Sequence, residues 1–249
     1  AFESTPWLDS QRAISPLVSV NNLLLDGTLC ENEVIVPNGI TAICGGAFVN
    51  STAMTSIVIP NSVDTIGEYA FSGCERLGTI EIPDSLRNIG MGAFEFTPWI
   101  KGEKAKNPMV IANNILIDGT ACTGDISVPN GVSAIAEGAF YGCTYIDTVV
   151  LPTGIEKIPK WTFANCSNLS SVILPETLNY IDDVAFYGCQ GLKEIQIPDT
   201  VTHIGTETFY SCGFVTVDLP HKISHIGEGA FYACTELTSI TLPEKIEAI

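Results

Sequence analysis

The sequence has few positive charges, a low overall content of charged residues and no long apolar run. Lys and Arg number 11 against 28 Asp and Glu in 249 residues, which gives a net charge of −17. Eleven scattered cations do not supply the basic surface that nucleic-acid phosphates require, so we expect no nucleic-acid partner. No stretch approaches the roughly 18 apolar residues of a membrane-spanning helix, so no membrane insertion is expected within this segment. Because 46% of the residues are hydrophobic and only 16% are charged, the chain is expected to fold.

The sequence shows neither a recognisable secretion signal nor a recognisable catalytic arrangement. The first seven residues, A-F-E-S-T-P-W, have neither a basic start nor an apolar core, so no signal peptide lies in this segment. With only three histidines, no Ser/His/Asp or Cys/His nucleophile arrangement can be nominated. We therefore nominate no catalytic residues, and we expect no cofactor and no metal site.

A repeat of 23 residues dominates the sequence. Prolines recur at that spacing, with one double step of 46 and one short step of 22, at Pro37, Pro60, Pro83, Pro129, Pro152, Pro175, Pro198, Pro220 and Pro243. Phenylalanines keep the same period at Phe2, Phe48, Phe71, Phe94, Phe140, Phe163, Phe186, Phe209 and Phe231. Six residues after each of these prolines stands an isoleucine, from Ile43 to Ile249. Apolar residues that recur once per unit are what stacked units need, because one unit can bury its apolar face only against its neighbours.

Each unit has the pattern of strands and turns rather than of a helix. In the last unit Ile240 and Leu242 alternate with Ser239 and Thr241, which is the period of a half-buried strand. A proline then ends the strand, because it has no N–H to donate. A second short extended piece and a glycine-containing turn complete the unit. We predict a mainly β fold: a curved parallel β-solenoid of about 11 rungs, with short turns or helical turns and no long helices, forming a single domain over 1–249.

A longer repeat lies on top of the 23-residue one. Residues 1–48 align with 93–140 at an offset of 92 without a gap, and 25 of these 48 positions are identical. The 23-residue pattern degenerates within these blocks, near 3–36 and 95–128. The run V-S-V-N-N-L-L-L predicts two short strands around an Asn-Asn turn, because Asn tolerates the positive φ of a two-residue hairpin. Since neither end shows the atypical polar cap of a solenoid, we predict a fragment of a longer array.

The run L-x-x-I-x-L-P-x-x-I-x-x-I, with the preceding I-G-x-x-A-F-x-x-C, resembles the 23-residue leucine-rich repeat of the BspA-like bacterial surface proteins. The resemblance covers essentially the whole chain. It implies a secreted or cell-surface location and no enzyme activity, and adhesion is reported for some members. The expected partner is then a protein ligand, such as a host extracellular matrix or plasma protein. A structural spacer or self-associating surface array is the alternative, as is a non-catalytic region of a larger enzyme.

Cysteine and histidine positions invite a metal or disulfide interpretation. Most of the nine cysteines stand three residues after the repeat phenylalanine, where other units have Ser or Thr. A small side chain with a weak donor satisfies that position, which favours buried thiols over bridges or metal ligands. His203 and His225 share one column of adjacent units, and two imidazoles could hold a metal. Thr65, Asn88 and Ala248 stand in the same column, which favours a solvated surface.

Outward strand positions, two and four residues before each proline, carry what a partner could recognise. The candidate binding residues are Val58, Glu81, Thr148, Val150, Ser171, Ile173, Gln196, Asp218 and Thr241. Val150 and Ile173 fall on adjacent units and are flanked by Thr148 and Ser171. An exposed β-branched pair surrounded by hydroxyl groups is typical of a contact patch. The strand propensity of these residues explains the same pattern equally well.

Overall fold

A computed structural model describes residues 2–243 and residue 246 of the chain. Ala248 and Ile249, the last members of the histidine and isoleucine columns, lie outside the described residues. The chain divides into two compact units, residues 1–107 and residues 108–249. Short strands separated by turns make up most of the regular structure in each.

The first unit contains one helix at each end of its sequence and eight strands between them. Its elements are α1 (Pro6–Arg12), β1 (Val18–Val20), β2 (Leu23–Asp26), β3 (Asn32–Ile35), β4 (Ala42–Ile43), β5 (Met54–Val58), β6 (Thr65–Ile66), β7 (Thr79–Glu81), β8 (Asn88–Ile89) and α2 (Pro98–Lys106). The second unit contains strands in its described residues. They are β9 (Val110–Ala112), β10 (Ile115–Asp118), β11 (Gly124–Ser127), β12 (Ala134–Ile135), β13 (Ile146–Val150), β14 (Lys157–Ile158), β15 (Ser171–Ile173), β16 (Tyr180–Ile181), β17 (His203–Ile204), β18 (Thr216–Asp218), β19 (His225–Ile226) and β20 (Ser239–Thr241).

Within each unit the strands form two kinds of parallel ladder. Strands of three to five residues pair in the orders β3-β5-β7, β11-β13-β15 and β18-β20. Two-residue strands pair in the orders β4-β6-β8 and β14-β16-β17-β19. Paired residues stand one repeat apart, as Ser56 pairs with Thr79 and Thr148 with Ser171. The prediction of a mainly β, parallel solenoid with a 23-residue period is confirmed.

The Asn-Asn hairpin is also confirmed, and it occurs in both units. Strands β1 and β2 are antiparallel, as are β9 and β10. The first turn places Asn21 and Asn22 at φ of 49° and 64°, and the second places Asn113 and Asn114 at 47° and 63°. Both turn residues therefore adopt the left-handed conformation that a tight two-residue hairpin turn requires.

Two short helices occupy the degenerate repeats, where the 23-residue period predicts none. The side chain of Thr5 accepts a hydrogen bond from the backbone N–H of Leu8, and that of Thr97 accepts one from Ile100. A proline follows each threonine at the first helical position, where its missing N–H costs no hydrogen bond. Helices that replace strands leave fewer regular rungs than the chain length alone suggests. Neither helix in the described part of the chain is long and apolar enough to cross a membrane.

The repeat phenylalanines stack at the centre of each unit. Ring centroids of Phe48, Phe71 and Phe94 are 5.1 and 5.6 Å apart. In the second unit the five rings from Phe140 to Phe231 stack at 5.1–5.4 Å. Every isoleucine of the column from Ile43 to Ile226 is buried. Phe2, which the period places in the same column, is instead 46% exposed and contacts Trp7 of α1.

Candidate binding surfaces

The predicted contact patch lies on the outer face of strands β13 and β15. Thr148 pairs with Ser171 and Val150 with Ile173, while the residues between them, Val149 and Val172, are buried. Side chains alternate between the two faces of a strand. Because Val149 and Val172 point into the core, the pairs on either side of them point outward. Val150 is 36% exposed and Ile173 is 58% exposed. We name Thr148, Val150, Ser171 and Ile173 the strand-face patch.

Polar groups border the strand-face patch on the side of β11. Ser127 pairs with Val150, and the hydroxyl of Thr148 donates a 2.6 Å hydrogen bond to the carboxylate of Asp125. The patch is thus an apolar pair with a hydrogen-bonded rim on the same sheet. A partner would have to satisfy both kinds of group.

Gln196, the next outward position along the chain, is exposed but belongs to none of the described strands. The ladder is interrupted between β15 and β18. The segment that leads to Gln196 is connected to the following rung by backbone hydrogen bonds from the N–H of Gly213 to the carbonyl of Cys189 and from the N–H of Val215 to the carbonyl of Lys193. The interrupted segment precedes the 22-residue step, where a Cβ on Gly213 would overlap the carbonyl oxygen of Gln190. The shortened turn therefore brings two backbones into a contact that only glycine permits.

The remaining predicted binding residues lie in other ladders. Asp218 and Thr241 are paired and exposed in β18 and β20, and the hydroxyl of Thr241 donates to Asp218 at 2.7 Å. Val58 and Glu81 are paired in β5 and β7 of the first unit, where Val58 is half-buried and Glu81 exposed. The nine residues thus belong to several separate surfaces, and in the strand-face patch two apolar residues of the predicted set are paired with each other.

The cysteines are free thiols arranged in a ladder. Most are buried, and each of several thiols donates to the carbonyl of the phenylalanine one rung before. The Sγ-to-oxygen distance is 3.0 Å for Cys166 to Phe140 and for Cys189 to Phe163. Burial raises the pKa of Cys74 to about 11, so that thiol stays protonated at neutral pH. A protonated, hydrogen-bonded thiol is neither a good nucleophile nor a ready metal ligand.

The histidine column forms a stack of parallel rings. His203 lies 4.3 Å from the ring of Tyr180 and 4.9 Å from that of His225, with interplanar angles of 6° and 5°. Lys157 lies over the other face of Tyr180 at 5.1 Å. A metal ion in the plane of one imidazole lies outside the plane of a ring stacked on it, so the arrangement does not suit a shared ion. Among the described residues, no group of three His, Cys, Asp or Glu could hold a metal.

A row of aromatic side chains in the second unit was not predicted from the sequence. Tyr187 stacks on Tyr210 at 4.6 Å, and Tyr210 stacks on Tyr232 at 5.3 Å. Trp161 lies 6.1 Å from Tyr141 and 6.4 Å from Tyr187, which connects the row across five rungs. We name these five residues the aromatic stripe. The signal was present in the sequence, since a tyrosine follows the repeat phenylalanine in four of those five units.

Comparison with known proteins agrees with the repeat. No protein of curated function matches the sequence. A leucine-rich repeat protein from Bacteroides ovatus ATCC 8483 is 26% identical with a TM-score of 0.50, and the match covers 87% of this chain and 59% of that one. The chain therefore spans less than two thirds of that relative. The T. pallidum leucine-rich repeat protein is 25% identical with a TM-score of 0.40, covering 68% of this chain and 82% of that one. Pneumococcal vaccine antigen PcpA is 18% identical with a TM-score of 0.49, covering 87% and 73%.

A family profile matches most of the chain. The profile described as BspA type leucine rich repeat region, six copies, matches residues 18–102, 111–183 and 156–249. These ranges take in both compact units and both kinds of ladder. The chain therefore belongs to the BspA-type leucine-rich repeat family.

Proposed function

We propose that this chain is a non-enzymatic protein-binding module of a bacterial cell surface, and that it adheres to a host extracellular matrix or plasma protein. Leucine-rich repeat domains are protein-interaction modules, and this family is typically non-catalytic. A surface location agrees with the family resemblance of the repeats. The acidic composition, with a net charge of −17, favours partners that present basic groups at the contact.

The strand-face patch is the observation that carries the proposal. Ile173 and Val150 stand side by side in register and in contact with water. Burying a Val or Ile side chain against a partner contributes about 1.5–3 kcal/mol when burial is complete. Two such side chains at the centre of a contact, with hydroxyl groups around them, match the apolar core and polar rim of protein interfaces.

A binding screen on an immobilised surface tests the proposal. The chain is presented to purified extracellular matrix and plasma proteins beside a Val150→Lys/Ile173→Lys variant. We expect saturable binding to at least one protein and its loss in the variant, because two ammonium groups would replace the apolar pair.

A matched control exists in the first unit, where Ile35 pairs with Val58 at the same repeat position. An Ile35→Lys/Val58→Lys variant places equal charge at an equivalent site and should leave binding intact. Binding that survives in the Val150→Lys/Ile173→Lys variant would refute the patch. The absence of binding to every protein would refute adhesion, and a mass that grows with concentration in light scattering would favour a self-associating array.

A further inference from the structure

The aromatic stripe takes its rings from two different repeat positions. Four of its members directly follow a repeat phenylalanine, but the fifth rung has Ala164 there, and that side chain is fully buried. Trp161 supplies the missing ring from two positions before the phenylalanine. Its φ of 60° is left-handed, where bulky residues are rare. The equivalent position is left-handed in every rung of the row, with φ of 67° at Gly138, 53° at Val184, 50° at Glu207 and 64° at Gly229.

The ring of Trp161 contacts Tyr141 on one side and Tyr187 on the other. The aromatic row therefore continues through the rung in which Ala164 replaces the tyrosine.

The geometry of the stripe limits what it can bind. Tyr187, Tyr210 and Tyr232 stack face to face within 25°, so their flat faces cover one another. Ring edges and hydroxyl groups are what remain for a ligand along the row. Tyr141 is 39% exposed and Tyr232 is 66% exposed, so both ends of the row reach solvent. A sugar or base needs a free ring face for stacking, and this row offers few.

The carboxylate of Glu207 lies beside the aromatic stripe. Burial and the neighbouring tyrosines raise the pKa of Tyr210, and the charge of Glu207 raises it further. Glu207 and Tyr232 both border Gly229. Lys160, which directly precedes Trp161 in the chain, is paired with Asp183 at 3.0 Å. The electrostatic environment of the row therefore favours a ligand with positive charge.

The spacing of the rungs matches one extended conformation. Strand-to-strand stacking separates rungs by about 4.8 Å, so two rungs span about 9.6 Å. One turn of a polyproline II helix spans three residues of about 3.1 Å each, or about 9.3 Å. Every carbonyl of that helix is free to accept a hydrogen bond, which tyrosine hydroxyl groups can donate. Proline-rich segments bind along aromatic surfaces with little loss of entropy because their conformation is already formed.

From these features we propose that the aromatic stripe binds a basic, proline-rich segment in the polyproline II conformation. The five rungs of the stripe extend for roughly 19 Å, which is two turns of such a helix. The proline rings of the bound segment pack on the edges of the aromatic rings, and its basic side chains reach the carboxylate of Glu207. This site is separate from the strand-face patch, so either proposal can fail without the other.

Isothermal titration calorimetry with the whole chain tests the site. The probe is a nine-residue peptide of three Pro-Pro-Arg repeats, about 28 Å long in the polyproline II conformation. A peptide of three Gly-Gly-Arg repeats keeps the charge but not the conformation, and three Pro-Pro-Glu repeats reverse the charge. We expect the first peptide to bind in a saturable way and both others at least about ten-fold more weakly.

Two variants locate the binding. Tyr210→Ser copies Ser72, which occupies the equivalent position after Phe71 in the first unit. Trp161→Gly copies Gly138 and relieves the left-handed strain, so the melting temperature should change little. Each should weaken peptide binding at least about ten-fold. Tyr145→Ser removes a 75%-exposed tyrosine from outside the stripe and should leave the affinity unchanged.

Several results would overturn the proposal. Equal affinity for the Pro-Pro-Arg and Gly-Gly-Arg peptides would mean that charge alone attracts the ligand. Unchanged affinity in Tyr210→Ser, with a normal melting temperature, would place the peptide elsewhere. Loss of binding in Val150→Lys/Ile173→Lys alone would assign the peptide to the strand-face patch. Binding of the neutral oligosaccharide cellohexaose in place of the peptides would show a glycan site.

Discussion

The ring of Phe163 is the most informative single position for the stacked core. It is fully buried and lies between Phe140 at 5.2 Å and Phe186 at 5.1 Å. The backbone of Phe163 also bonds to adjacent rungs, since its carbonyl accepts from the thiol of Cys189 and its N–H donates to the carbonyl of Ala185. Phe163→Ala leaves those backbone groups in place. The loss of stability therefore reports the side chain alone.

The expected cost follows from burial and stacking. Phe→Ala in a core destabilises by about 3–5 kcal/mol through lost transfer energy and the cavity left behind. Two stacked partners each add about 0.5–1.5 kcal/mol to simple burial, which places Phe163 in the upper part of that range. For a chain of this size the melting temperature should fall by about 8–20 °C. Thermal unfolding followed by circular dichroism measures the fall.

Phe231 provides a graded comparison. Its ring is half-buried and stacks on Phe209 at 5.4 Å on one side. Phe231→Ala should therefore cost less than half as much as Phe163→Ala. Equal melting temperatures for Phe163→Ala and the unchanged chain would refute the stacked core. Equal losses in the two variants would refute the link between stacking on both faces and stability.

Three further outcomes follow from the same rungs. Cys189→Ser should cost less than about 2 kcal/mol in denaturant unfolding, because a hydroxyl can donate the same hydrogen bond; a larger loss would contradict the small-residue interpretation. Burial, and next to it the charge of His225, lowers the pKa of His203 below its unfolded value. Folding therefore favours the neutral form of His203, so the free energy of unfolding is at its full value above pH about 6.5 and falls as the pH drops below it. His203→Gln should flatten the pH dependence of the melting temperature. Gly205→Ala should destabilise strongly, because the new Cβ would overlap the backbone nitrogen of Asp183; an unchanged unfolding midpoint would show that the rungs can separate.

The fold was predictable because the period repeats each constraint many times. Buried isoleucine and phenylalanine columns indicated stacked units, and the register confirms the 23-residue step. The Asn-Asn turns were also readable, since few residues other than Asn and Gly favour two consecutive positive φ angles. The helices were missed because the signal that begins them is local. Pro98 directly follows the capping residue Thr97 at the start of α2, and the 23-residue pattern has no proline at that position.

The surfaces were less predictable than the core. Gln196 occupies the expected repeat position, but the shortened turn after it leaves that segment outside the ladders. The aromatic stripe was missed because one of its rings comes from another repeat position. Trp161 stands two residues before Phe163, yet its ring lies in the row of tyrosines that follow the phenylalanines. Spacing along the sequence does not reveal that two different repeat positions share one surface row.

The contact between Gly213 and Gln190 has a consequence for how such a chain can evolve. Loss of one residue in a turn is accommodated by a close backbone approach at glycine and by the loss of a paired strand in the rung before it. Insertions and deletions of one or two residues therefore disturb the local ladder, whereas a whole repeat adds a rung without altering its neighbours. The offset of 92 between residues 1–48 and 93–140 is four such repeats. Gene duplication in whole units is the route by which this protein can change length and keep its pairing.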